Sequence, residues 1–260
     1  MTKVSVNNIE LYYEVHGQGY PVVFLHGFSS THHMWQPQVP ALSRDYLFTI
    51  YDARGHGQSE SPPSADQYSA EIVVEDLFQL LGSLGIEKAV VGGLSMGGYE
   101  SLRFYLTHPE MVTALIVMDT GPGYRNPVRR EEWNSGREEL ARQLETRGIE
   151  VLAENAPTES RREIMLKQNP VGLAHMARKV VGQHDSWVID NLDKIKVPTL
   201  VLVGENDEAF LRASDYMANK IPGAQHVIIP QAGHAANIDN TEHFNRAVLD
   251  FLGKLKLPRG

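Results

Sequence analysis

Apolar positions near the start of the chain recur with a period of two. Val4 and Val6 precede Asn7-Asn8, and Ile9, Leu11, Tyr13 and Val15 follow it. Alternation on either side of a turn dipeptide predicts a β-hairpin. The pattern then changes to short, largely apolar runs: Pro21 to Leu25, Leu47 to Tyr51, Ala89 to Leu94, Leu115 to Met118, Thr199 to Val203 and His226 to Ile229. Such runs, closed by turn residues, suit strands buried on both faces of a parallel sheet. Between them lie helical patterns. Ile72, Val73, Leu77, Leu80, Leu81 and Leu84 fall on one helical face, and Met96 to His108 and Glu242 to Leu255 are also compatible with helices. Alternating strands and helices imply βαβ units, so the expected fold is α/β: a mostly parallel, eight-stranded sheet with helices on both faces.

One segment breaks the rhythm. Residues 122–185 contain no strand-like run, and 21 of these 64 residues are charged, against 22% for the whole chain. Arg129 to Glu132, Arg137 to Arg142 and Glu159 to Lys167 read as solvated helix faces. We expect an inserted helical cap over the sheet; extra core helices are the alternative. The expected division is 1–121 with 186–260 as the core domain and 122–185 as the cap.

Composition narrows the function classes. The formal net charge of −8 leaves no electrostatic footprint for nucleic acid. No run approaches the ~18 apolar residues of a membrane span, no secretory leader is visible, and a cytoplasmic location is the default expectation. The absence of cysteine removes thiolate catalysis, disulfides and Cys-type zinc sites. His32 and His33 are adjacent, but no carboxylate accompanies them at ligand spacing, so neither metal nor cofactor is expected. Oligomeric state is not legible.

The chemistry concentrates at strand ends. Gly93-Leu94-Ser95-Met96-Gly97 follows a predicted buried strand and opens a predicted helix. That context gives the G-x-S-x-G pattern its meaning: a nucleophilic Ser95 at a strained turn, with glycines where side chains would collide. The Met96 amide, at the helix start, is free to donate to an oxyanion. A second donor is expected after the first buried strand, at the Phe28 amide in His26-Gly27-Phe28; His26 itself reads as a holder of the loop backbone. Serine needs a general base and the base an orienting acid. His234, in Gln231-Ala232-Gly233-His234, follows the last strand and is the expected base. Asp207, 27 residues earlier, follows the preceding strand and is the preferred acid; Asp119 competes for that role and Asp239 does so weakly. Trp35, Tyr124 and Trp187 are candidate substrate-binding residues. Arg125, Arg129 and Arg130 could meet a substrate carboxylate, though a solvated face is the plainer reading.

Taken together, His26-Gly27-Phe28, the stretch Asp52 to Ser59, Gly93 to Gly98, Asp207 and Gly233-His234 resemble the α/β-hydrolase superfamily over residues 1 to 255. The chain is similar to small capped esterases and to the enol-lactonase, meta-cleavage C–C hydrolase and perhydrolase groups. The resemblance implies a cap between the sixth and seventh strands and a structural role for Asp52 to Ser59. It also argues against the aspartate-nucleophile subfamilies, because the elbow residue is Ser95. The expected activity is hydrolysis of a small to medium carboxylic ester through an acyl-enzyme. A lactonase or C–C hydrolase is the alternative, and a ligand receptor on the same fold a remote one.

Overall fold

The computed structural model describes residues 2–154, 156 and 158–257; the outer limits 1 and 260 of the expected core domain lie outside that range. Strand β1 (Thr2–Val6) pairs antiparallel with β2 (Ile9–His16), and Asn7 and Asn8 both take positive φ, 45° and 62°. Two left-handed central residues match the right-handed twist of a tight hairpin. The other strands are β3 (Tyr20–Leu25), β4 (Tyr46–Tyr51), β5 (Ala89–Leu94), β6 (Val112–Met118), β7 (Thr199–Gly204) and β8 (Gln225–Ile229). Among the described residues they form one eight-stranded sheet, ordered β1-β2-β4-β3-β5-β6-β7-β8. From β4 onward every pairing is parallel.

Side chains alternate across the sheet, and the core divides accordingly. Val22 and Phe24 of β3 pack on one face with Val90, Ile116 and Leu200; Val23 and Leu25 pack on the other with Val91, Val117 and Val201. Helix α1 (Ala70–Ser83) buries Val73, Leu77, Leu80 and Leu81 on the second face, and α2 (Met96–Thr107) buries Leu102 and Phe104 there. The first face is covered by Phe244, Val248 and Phe251 of the C-terminal helix Thr241–Leu252.

Between β6 and β7 lie α3 (Pro127–Arg147), α4 (Glu159–Leu166) and α5 (Pro170–Met176). Asn126 caps α3 by accepting from the amides of Val128 and Arg129, Pro127 occupies its first position, and Gly148 ends it at φ 79°. Most of α3 is exposed. Its inner side joins a small core of Ala141, Leu144, Ile149, Leu173, Ala174 and Ala177, and Phe28 from the loop after β3 packs against it. No helix among the described residues is long and apolar enough to cross a membrane.

The loops after β3 and β4 are fastened by buried polar groups. Arg54 meets Asp76 through two 2.6 Å hydrogen bonds, and both side chains are about 2% exposed. His26 Nε2 accepts from the Ala53 amide at 3.0 Å, so its Nδ1–H donates to Gly27 O at 2.8 Å. His56 repeats the device: Nε2 accepts from the Ser29 amide at 3.1 Å and Nδ1 faces Arg54 O at 3.2 Å. His32 Nδ1 donates to Asp52 at 2.8 Å. In Asp52, burial raises the carboxyl, but the His32 bond and the neighbouring His26 outweigh it and hold the group below its ordinary value.

Two tests follow from these ties. Arg54→Met leaves Asp76 buried without its cation, and urea unfolding should show a loss of about 3–5 kcal/mol. The second test concerns acid. Burial lowers His26 and takes His56 from 6.5 to about 3. The folded chain therefore refuses protons that the unfolded chain accepts. The stabilisation is complete above pH 6.5 and is lost as pH falls through the interval toward 3. A urea midpoint that declines across that interval, and declines less in His56→Gln, is the expected result; an unchanged slope in the variant would contradict it.

Candidate active site

β5 is buried along its whole length and ends at Leu94. Ser95 then takes φ 55° and ψ −114°, and α2 starts at Met96. For a residue with a side chain this is a strained backbone, costing roughly 1–3 kcal/mol. The surroundings hold it there. The Ser95 amide donates to Met118 O and Thr120 Oγ1 donates to Ser95 O, each at 2.8 Å. The turn also requires close approach. A Cβ on Gly97 would stand 2.2 Å from Leu25 O, and one on Gly93 would stand 2.5 Å from the Gly97 carbonyl carbon.

His234 lies in the loop after β8, and Asp207 lies between β7 and helix α6 (Glu208–Lys220). The structure brings them together: His234 Nδ1 is 2.8 Å from Asp207 Oδ2, and Asp207 is 5% exposed. Burial lowers the imidazole, but the hydrogen bond and charge of Asp207, helped by Asp119, raise it further, so His234 titrates above its ordinary 6.5. With Nδ1–H committed to a carboxylate, neutral His234 presents Nε2 as a proton acceptor. The ring of Phe210 stacks on it at 5.1 Å.

The competing aspartates do other work. Asp119 is fully buried; its oxygens accept from the Gly204 amide at 2.8 Å and the Ala236 amide at 3.3 Å. Burial pushes its carboxyl up to about 7, against the pull of those amides. Asp239 Oδ2 accepts from the Gly233 amide at 2.8 Å. Both carboxyls therefore fasten backbone around His234, and only Asp207 meets the imidazole.

Ser95, His234, Phe28 and Met96 line a single cavity of about 530 Å³ between the strand ends and the insertion. That is the size of a small-molecule site. Among the described residues the Phe28 and Met96 amides have no backbone or side-chain acceptor. The loop carrying Phe28 is also tied to the insertion: Gln168 Nε2 donates to Ser29 O at 2.7 Å and its Oε1 accepts from the Gly57 amide at 3.3 Å.

The expected substrate-binding residues separate. Tyr124 lines the cavity. Trp35 does not: it is fully buried below the sheet, its ring 5.0 Å from Phe24, because the short helical turn His32–Gln38 folds it inward. Trp187 lies off the cavity too, half-buried with the Arg103 guanidinium 5.1 Å over its ring. Arg125 is spent on Asp190, Tyr216 and Ile189 O, Arg129 on Glu132, and Arg130 on the carbonyls of Tyr124 and Arg125. Arg125 and Arg129 are exposed and Arg130 is half-buried. Among the cavity residues not read as such from the sequence are Phe210, Glu100 and Arg137. Glu100 had a signal, as the lone acid in the small and apolar stretch from Met96 to Leu102. Arg137 had one in its place four residues after Trp133, on the same side of α3.

Known proteins agree with this architecture. A family model described as the alpha/beta hydrolase fold matches residues 20–241. A thermophilic esterase from Thermogutta terrifontis superposes with a TM-score of 0.88 at 31% identity, over 98% of each chain. The enol-lactonase of Burkholderia xenovorans LB400 gives 0.85 at 28%, over 97% of this chain and all of its own. A 3-oxoadipate enol-lactonase of Acinetobacter baylyi is 29% identical over 90% of this chain and 89% of its own. The chain belongs to the α/β-hydrolase family.

Proposed function

We propose that the protein hydrolyses carboxylic esters through Ser95, His234 and Asp207. The observation that carries the reading is the 2.8 Å contact of His234 Nδ1 with Asp207 beside a strained Ser95 that lines the same cavity. Ser95 Oγ attacks the ester carbonyl while His234 Nε2 takes its proton. The Phe28 and Met96 amides receive the negative charge that develops on the carbonyl oxygen, worth roughly 3–4 kcal/mol per donor. His234 returns the proton to the departing alcohol. Water, deprotonated by the same imidazole, then attacks the acyl carbon, and His234 returns that proton to Ser95 Oγ as the acid leaves. Asp207 keeps Nδ1 protonated and stabilises the imidazolium. The substrate is a small molecule, and residues 122–185 act as the cap that shapes its cavity.

The relatives named enol-lactonases support a second reading, a cyclic ester opened by the same chemistry. A chain-length series of p-nitrophenyl esters run beside an enol-lactone separates the two. In either case Ser95→Ala should cost about 10⁴-fold or more in kcat with the circular-dichroism spectrum unchanged. Wild-type turnover in that variant would end the proposal.

The pH profile gives an independent test. The base must be neutral, so kcat/KM should fall as pH drops through the His234 value, which lies above 6.5. Asp207 holds that value up. In Asp207→Asn the residual activity, reduced roughly 10⁴-fold, should therefore have its acid limb at lower pH than the wild type.

A further inference from the structure

The charge around the cavity runs against the charge of the molecule. The chain carries −8 overall, yet apart from His234 the charged or titratable side chains lining the cavity are Arg137, Arg212, Glu100 and two tyrosines, Tyr99 and Tyr124. Glu100 is 3% exposed, and neither of its oxygens has a hydrogen-bond partner among the described residues. Burial, assisted by Glu71 and Asp185 and opposed by Arg103, pushes it up to about 8. At neutral pH it is mostly uncharged, and the two arginines set the local sign.

Arg137 is the arginine of the insertion that lines this cavity. Several arginines of the insertion are paired: Arg129, Arg142 and Arg162 with glutamates one turn away, and Arg178 with Glu138 and Glu145. Arg137 was expected on a solvated face with Arg142. Instead it is half-buried on the cavity, and no hydrogen bond or ion pair reaches its guanidinium among the described residues. Burial lowers its hold on its proton, with only Tyr124 acting the other way. Its position is nevertheless fixed. The guanidinium carbon lies 4.6 Å over the ring of Trp133, and Trp133 Nε1 donates to Val181 O at 2.8 Å. A flat cation, held on an aromatic face and lacking a counter-charge, is prepared for a planar anion.

We propose that Arg137 anchors a carboxylate carried by the substrate, so that the preferred substrates are anionic esters such as half-esters of dicarboxylic acids. This rests on the ester-hydrolase reading and narrows it. The uncharged Glu100 leaves the anion unopposed, and Arg212, exposed on α6 at the cavity rim, adds to the attraction.

Binding and turnover test it separately. Ser95→Ala is titrated by calorimetry with monomethyl glutarate and with methyl pentanoate, an uncharged ester of similar length. The half-ester should bind roughly 10–100-fold more tightly, the span of a charge-assisted contact. Adding Arg137→Gln should collapse that ratio toward one. A merely structural Arg137 would weaken both ligands together and leave the ratio standing. The same ratio is then read as kcat/KM for the mono-p-nitrophenyl ester of glutaric acid against p-nitrophenyl pentanoate. Equal binding of the two methyl esters in Ser95→Ala, or a ratio untouched by Arg137→Gln, overturns the anchor whatever the turnover. Loss of the ester-hydrolase reading appears differently: neither p-nitrophenyl ester is cleaved by the wild type, while the binding ratio still reports on Arg137.

Discussion

Backbone packed against backbone is the constraint on which the site depends. At Gly97 the first turn of α2 lies on the carbonyls of Leu25 and His26, too close for any side chain. That contact joins two strand ends, β5 with Ser95 and β3 with the loop of Phe28. Main chains in direct contact have no rotamers through which to shift. The relative positions of a hydroxyl and two amides are thereby set by the sheet rather than by flexible side chains, as stabilisation of a developing oxyanion requires. The cost is the left-handed backbone of Ser95, which the bonds from Thr120 and to Met118 help to hold.

Around this contact, loops that would otherwise move are tied by buried polar groups, each with a defined partner. His26 and His56 join the loop after β3 to the loop after β4, and Gln168 joins both to the insertion. The insertion therefore does more than cover the cavity. Its Gln168, 5% exposed, holds Ser29, the residue next to a proposed oxyanion donor. One side chain thus ties the helices over the sheet to the loop that carries that donor.

The strands, the elbow and His234 were legible because each is a local pattern: a short apolar run, a glycine-flanked serine, a glycine-histidine pair after a strand. The parallel sheet followed from their order. What escaped the sequence depends on distant partners. Trp35 packs on Phe24 only because the turn His32–Gln38 folds under the sheet, and nothing near Trp35 announces that. Trp187 sits under Arg103, more than eighty positions away. Helix α6 went unread although Phe210, Ser214 and Met217 recur at helical spacing; of its residues Ser214 and Met217 are buried. Arg137 was misread for a different reason. Charge density marked its segment as solvated, but density averages over a helix, and one face of α3 turns inward.

The three aspartates near His234 show why an acid at a strand end is not by itself a triad member. Asp207 faces the imidazole, and in the proposed reaction it supplies charge beside a ring that becomes positive. Asp119 is nearer the centre of the sheet, where burial lifts its carboxyl to about 7. A group that is half-protonated near neutral pH is a weak counter-charge for an imidazolium. It remains a sound backbone acceptor, because the amides of Gly204 and Ala236 are met by its oxygens. Asp239 fastens Gly233 from the other side. The loop of His234 is thus held at two backbone points, by Asp119 at Ala236 and by Asp239 at Gly233. Of the three, only Asp207 touches the ring. The partner each carboxyl meets separates these roles, and partners are what a spacing along the chain does not display.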